Sequence, residues 1–189
     1  MKKLLLVGAL ALFGAVNAQE NSIKVNPAAL LGGSDLITFE HKLGDNFSGV
    51  IGAGYGGFKF GSNKYTTYGG GLQGRYYFDE AMTGFYGAAV ADYTAGKVKI
   101  ENSFSFSMDP SMPTETQSAE ADISAIGGGL RAGYQWIFDS GITLDINLGA
   151  SYKSFKYKWN NAADETFYGD NLKASGVLPT GSLGIGYSF

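Results

Sequence analysis

The C-terminal stretch of the chain alternates without a break. Every second residue back from Phe189 is Tyr187, Ile185, Leu183, Gly181, Pro179 and Val177. The residues between are Ser188, Gly186, Gly184, Ser182, Thr180 and Leu178. One face is apolar and aromatic, the other small and polar. A period of two belongs to a strand that separates two media, and it is incompatible with an amphipathic helix. A chain that ends this way must place the strand in a sheet with one polar and one apolar face.

The same alternation recurs along the chain, punctuated by turn signals. Eight segments emerge: 22–31, 35–43, 47–60, 65–78, 84–100, 121–138, 142–158 and 175–189. Composition supports a curved sheet. The chain has 29 glycines and 14% aromatic residues but 4 prolines. Glycine and aromatics are poor helix formers, whereas glycine relieves strain where a strand bends and a neighbouring aromatic covers it. The connections 44–46, 79–83 and 139–141 are short, and two of the intervening ones, 101–120 and 159–174, are long, polar and acidic. An even number of strands with short turns at one end and long loops at the other is the arrangement of an up-and-down membrane barrel. The prediction is therefore all-β, an eight-stranded antiparallel up-and-down transmembrane β-barrel.

Charge sets the phase of each strand. A basic side chain facing lipid at mid-depth costs about 2–4 kcal/mol, so charged positions should point inward. Arg131 and Gln135 alternate with Leu130, Ala132, Tyr134 and Trp136, and Gln73 and Arg75 with Leu72, Tyr76 and Phe78. Asp145 and Asn147 alternate with Leu144, Ile146 and Leu148, and Thr38, Glu40 and Lys42 with Ile37, Phe39 and Leu43. In the first segment Lys24 and Asn26 oppose Ile23, Val25, Ala29 and Leu31. The segment 47–60 is dominated by glycine and gives no clear phase, and in 84–100 Asp92 alone places Phe85, Ala89, Ala91 and Tyr93 outside. The predicted lumen charge network is Lys24, Glu40, Arg75, Asp92, Arg131 and Asp145, with Arg75 and Arg131 paired to carboxylates among Glu40, Asp92 and Asp145. An eight-stranded barrel is just wide enough for side chains to fill, and buried charges must pair, so a plugged lumen is expected. Aromatics near the short turns (Phe47, Phe78, Phe85, Trp136, Phe138) and toward the long loops (Tyr55, Tyr65, Tyr93, Phe155, Tyr157) suggest two interfacial belts. After Tyr152 the apolar phase of 142–158 flips, which reads either as a bulge or as the strand leaving a bilayer.

The N-terminus reads as a secretory leader. Lys2 and Lys3 precede an apolar run over 4–16, and Val16-Asn17-Ala18 offers small residues at a cleavage site. The predicted division is a cleaved signal peptide at 1–18 and a barrel domain at 19–189, and losing Lys2 and Lys3 would take the formal charge from −3 to −5. An acidic chain offers nothing to nucleic acid. It has no cysteine, hence no disulfide, thiol nucleophile or thiolate metal site.

With these features in place, the whole segment after the leader resembles the small eight-stranded outer-membrane barrels of the OmpA/OmpX type. Within that class, Ile23-Lys24-Val25-Asn26-Pro27, Ile37-Thr38-Phe39-Glu40-His41 and Ile51-Gly52-Ala53-Gly54-Tyr55 resemble a family of uncharacterised bacterial outer-membrane barrels. The resemblance implies a location in the cell outer membrane with both termini periplasmic. It implies that Tyr187 and Phe189 form the C-terminal signal read by the barrel-insertion machinery. It carries no activity.

The chemistry available is sparse. His41 is the one histidine and sits beside a short turn; a triad would also need a nucleophile within reach and a carboxylate to orient the ring, and a structural or interfacial role is expected instead. In lipid A palmitoyltransferases, eight-stranded barrels that are enzymes, resemblance puts the catalytic histidine at the opposite, outer end. Gly52–Gly57 and Gly127–Gly129 lack the helix and Lys-Ser/Thr of a phosphate loop. Lys153, Lys156 and Lys158 form a basic run, either solvated or in contact with glycolipid phosphate. The expectation is a non-enzyme without cofactor or metal. Its structural or surface-interaction role would run through loops 101–120 and 159–174, with outer-membrane lipid, glycolipid or another outer-membrane protein as partners. A small gated channel is the alternative, and a lipid-modifying enzyme the third. A soluble barrel of lipocalin type would need an apolar interior, the inverse of the charge phase seen here.

Overall fold

A computed structural model describes residues 19–61, 63–102, 117–159 and 175–189, with backbone alone at 100–102, 117–119 and 159. The predicted leader 1–18 and most of both predicted loops lie outside the described residues. Eight strands form one closed antiparallel ring in sequence order. They are β1 (Asn21–Val25), β2 (Ile37–Lys42), β3 (Phe47–Phe60), β4 (Asn63–Tyr77), β5 (Gly84–Asn102), β6 (Gln117–Ile137), β7 (Ile142–Trp159) and β8 (Gly176–Ser188). The all-β, eight-stranded up-and-down fold expected from the alternation is the fold observed.

Two expectations about the first segment are corrected. The strand predicted over 22–31 ends at Val25, and Pro27–Leu31 form a 3-10 helix. Pro27 has no N–H for a ladder and stands at the start of that helix, where none is needed. Ala29, expected outside, is buried in consequence. The chain returns through Gly32, whose φ of 123° favours glycine, and re-enters the sheet at Ile37. At the other end of the ring the strands are longer than expected. β5 and β6 pair from Gly84↔Gln135 to Asn102↔Gln117, so the connection predicted as 101–120 narrows to 103–116. Likewise Trp159 belongs to β7.

The short β1 and β2 leave a notch in the wall. β1 pairs with β8 only from Ser22↔Ser188 to Val25↔Ile185, and β2 with β3 only from Lys42↔Ser48 to Ile37↔Ala53. Above these limits, among the described residues, no strand lies between 176–184 of β8 and 54–60 of β3. Two missing strands leave three strand spacings, roughly 14 Å. The 3-10 helix contacts both β3 and β8 across this gap. It lies on the inner side: a Cβ at Gly54 would collide with the Gly33 carbonyl, and one at Gly56 with the Leu30 carbonyl. Both glycines are therefore demanded by backbone approaching backbone. Pro179 sits on the free edge of β8, where a missing N–H costs nothing and deters pairing with another chain.

Side chains divide as the charge phase predicts. Leu72, Phe85, Ala89, Ala91, Tyr93, Ile126, Leu130, Ile146, Leu148 and Tyr152 point out, and Ser48, Arg75, Asp92, Gln135, Asp145 and Asn147 point in. The glycine-rich β3 takes the same parity, with Val50 inside and Ile51 outside. At the short-turn end, rings touch in two runs, Phe47–Tyr76–Phe78 and Phe85–Tyr134–Trp136. The second expected belt is thinner than predicted. Tyr65 reaches toward Gly32 inside, and Phe155 opposes the buried Ala125, so both face inward with Tyr157. The pairing of β6 with β7 is continuous from Ile137↔Thr143 to Ala121↔Trp159. No bulge accounts for the phase flip after Tyr152: the alternation runs on, with Lys156 and Lys158 now on the outside.

Candidate functional site

The lumen holds its charge near the short turns. β1 brings Lys24, β2 Glu40, β3 Ser48, β4 Arg75 and Tyr77, β5 Tyr86, β6 Gln135 and β7 Asp145, one parity from each strand pointing to a common axis. The Lys24 ammonium contacts Glu40, Gln135 Oε1 at 2.5 Å and Asp145 Oδ2 at 2.9 Å. Arg75 Nη1 donates to Asp145 Oδ2 at 2.6 Å, Gln135 Oε1 at 3.2 Å and Glu40 Oε2 at 3.3 Å. Tyr77 and Ser48 hydroxyls donate to the other Glu40 oxygen at 2.7 and 2.5 Å, and Tyr86 donates to Asp145 Oδ1 at 2.6 Å. The guanidinium also stacks over the Tyr86 ring, 4.4 Å from its centroid.

Two cations face two anions here, and each carboxylate oxygen has a donor. That completeness offsets the desolvation of four charges, which alone would be prohibitive. The β4–β5 turn closes the end below. Its Ala81 and Met82 are buried, Ala81 N–H donates to the Asp45 carbonyl at 2.7 Å, and Gln135 Nε2 donates to the Met82 carbonyl at 2.7 Å. Met82 has φ 72°, a left-handed conformation that a non-glycine residue holds only where its surroundings dictate it.

The expected network is not one cluster but three. Lys24, Glu40, Arg75 and Asp145 form the first. Arg131 pairs not with Glu40, Asp92 or Asp145 but with Asp35, at 3.4 Å, and approaches Asn147 Oδ1 at 3.5 Å. Asp35 belongs to the segment between the 3-10 helix and β2, and also accepts from Asn26 at 3.4 Å. Asp92 pairs with Lys153 at 2.6 Å, so Lys153 points into the lumen and leaves the basic run to Lys156 and Lys158. Between these groups a void lined by Asp35, Gln73, Asp92 and Arg131 measures about 10 Å³, room for no more than about one water.

Sequence parity located the inward face but missed Tyr77, Tyr86 and Ser48 as partners, although each shares the parity of a charged neighbour on its strand. Asp35 lies outside any strand, where no period exists to assign it. His41 is exposed, its Nδ1 2.9 Å from Asn21 Oδ1. Among the described residues no group of three or more His, Cys, Asp or Glu is placed to hold a metal. Tyr187 points outward, and Phe189 exchanges backbone hydrogen bonds with Asn21 at 2.8 and 2.9 Å, which fastens the C-terminus to β1.

A family model described as "Protein of unknown function (DUF3575)" matches residues 4–187. No curated protein and no solved structure matches the chain.

Proposed function

This chain belongs to the DUF3575 family, and we propose that it is an integral outer-membrane barrel with a plugged polar lumen, whose wall anchors the segments around 101–120 and 159–174 for a structural or surface-interaction role. The observation that carries this reading is an inside-out distribution of polarity. Leu148 is 73% exposed, Leu130 70% and Ile126 65%, while Lys24, Arg75 and Asp145 are each 2% exposed and Glu40 is fully buried. A continuous apolar exterior around a charged interior suits lipid and is far beyond the isolated patches that soluble proteins tolerate. The outward apolar run of β7 from Ile142 to Tyr152 spans roughly 25 Å along the barrel axis for strands tilted near 40°, the height of an outer-membrane apolar band. On this reading Lys156 and Lys158 lie where the strand leaves the bilayer.

The ion cluster and the Met82 turn support a plug rather than a channel. Expression of the full chain, fractionation of membranes and electrophoresis with and without heating test the proposal, followed by planar-bilayer recording. The expected outcome is a heat-modifiable species in the outer-membrane fraction that does not conduct. A folded monomer in water without detergent would overturn the membrane reading. Steady, large single-channel currents would overturn the plug and favour the gated-channel alternative.

A further inference from the structure

The notch between β3 and β8 leaves backbone groups without partners. Alternate residues of an antiparallel strand direct both backbone groups to the same side. Phe189 exchanges both bonds with Asn21, so Gly181 and Leu183, in step with it, direct theirs into the notch. The Phe47 carbonyl accepts from Leu43 at the end of β2, so Tyr55 and Gly57 direct theirs into the notch from the opposite edge. Among the described residues no backbone group bonds these four. Leu183 and Gly181 stand beside Ile146 and Leu148 of β7, within the outward apolar run Ile142–Tyr152. On the membrane reading this edge lies at hydrocarbon depth, where lipid tails offer backbone groups nothing.

The residues able to close the notch are those of 26–36 themselves. The ladder of β1 and β2 already runs one rung past Val25↔Ile37, with Asn26 N–H on the Leu36 carbonyl at 2.8 Å. Continued in the same register, Ala28 would face Ser34 and the chain would turn around Leu31, beside Gly32, whose φ of 123° already suits a hairpin turn. The same registers carry Ala29 to Gly181 of β8, and Asp35 and Gly33 to Tyr55 and Gly57 of β3. Two strands are missing from the wall, and this hairpin supplies two. Pro27 would forgo one bond to β8, whereas Pro179 would lie opposite Leu31, in the turn, where no N–H is needed.

Asp35 opposes that arrangement. Tucked inside, it meets Arg131 at 3.4 Å and accepts from Asn26 at 3.4 Å. In the wall it would share the outward parity of Ile37 and Phe39 and turn a carboxylate toward lipid. We infer that residues 26–36 form a strap with two positions. In one it is tucked behind β3 as the 3-10 helix, and the wall is open sideways. In the other it is zipped into the wall as an extension of β1 and β2, with the notch closed and the lumen above Arg131 vacated. Asp35 is the latch. The inference goes beyond the plugged-barrel reading and rests on it only for the lipid outside the notch.

The test is NMR of the full chain in lipid nanodiscs, comparing the wild type with Asp35→Asn and Gly54→Ala. Asp35→Asn removes the latch and the outward charge together. Gly54→Ala bars the tucked form alone, because its methyl would meet the Gly33 carbonyl there and only vacated lumen once the strap is zipped. In the wild type the amides of Tyr55 and Gly57 should exchange as free-edge groups, without an Hα–Hα contact between Ser34 and Gly56. Each variant should slow these amides roughly tenfold and bring up the Ser34–Gly56 contact. Protected amides at Val90 and Gly129 show that a variant is folded, and either variant suffices should the other not fold. Unchanged exchange at Tyr55 and Gly57 in a folded variant would overturn the strap. Faster exchange would overturn it too, since the segment would then loosen without entering the wall. Slow exchange already in the wild type, with the Ser34–Gly56 contact present, would overturn the tucked resting form and the switch with it. A chain that folds in water without detergent refutes the membrane reading instead, and shows this before any variant is made.

Discussion

Glu40 accepts from four donors, the side chains of Lys24, Arg75, Ser48 and Tyr77, and among the described residues Asp145 is the other anion that Lys24 and Arg75 reach. Removing Arg75 would strand two buried carboxylates with a single ammonium between them. Breaking a buried pair from one side costs about 3–5 kcal/mol. Arg75→Ala is expected to lose that much, read as a lowered unfolding midpoint in detergent. Arg131→Ala should cost clearly less, because its partner Asp35 is 3.4 Å away, both groups are partly exposed, and its Nε has no partner to lose. Equal losses from the two variants would show that the lowest cluster does not dominate. The inward position of both arginines was legible in the sequence, since alternation assigns a face. Their partners were not, because parity says nothing of height. Strand tilt and stagger decide which inward residues share a level, and those follow from the closed ring rather than from any one strand.

At the scale of elements, alternation fails where two different structures place apolar residues at the same spacing. Ile23, Val25, Ala29 and Leu31 fit one strand face by parity, but Pro27 breaks the ladder and turns the second half into a helix. The glycines of β3 were read correctly as strand residues, and what they accommodate, the 3-10 helix behind the notch, was invisible without the fold. Gly56→Val is expected to push that helix off β3, because its side chain would meet the Leu30 and Ala29 carbonyls. Gly74→Ala meets nothing within 4 Å and should be silent. Limited proteolysis near Gly32 and Gly33 distinguishes them, with faster cleavage expected in the first variant only. Shortening the connection 103–116 should leave the heat-modifiable barrel intact, since the ladder of β5 and β6 is held along its whole length and loop closure changes slowly with length.

For the molecule as a whole, Phe189 is both the last residue of an outward-facing apolar row and a fastening. Phe189→Asp keeps the backbone bonds to Asn21 yet places a charge at the end of that row. Depletion of this variant from the outer-membrane fraction, with the wild type retained, is the expected result. A normal heat-modifiable barrel in that fraction would show that the terminal aromatic is dispensable. The ring as a whole is also unevenly laced. β5 and β6 share a ladder from Gly84↔Gln135 to Asn102↔Gln117, whereas β1 meets β8 over Ser22↔Ser188 to Val25↔Ile185 alone.

That short ladder is a clasp, and it gives the barrel a chronology. The first strand of the ring must wait for the last before the ring exists, and until then β1 to β7 can pair only with their sequence neighbours, which leaves an open sheet with two bare margins. Closure then needs only four residue pairs to zip, so it is quick to make and the first to breathe open. Amide exchange should record this order directly, with Ile23 and Tyr187 exchanging well before Val90 and Gly129, which face each other midway along the longest ladder.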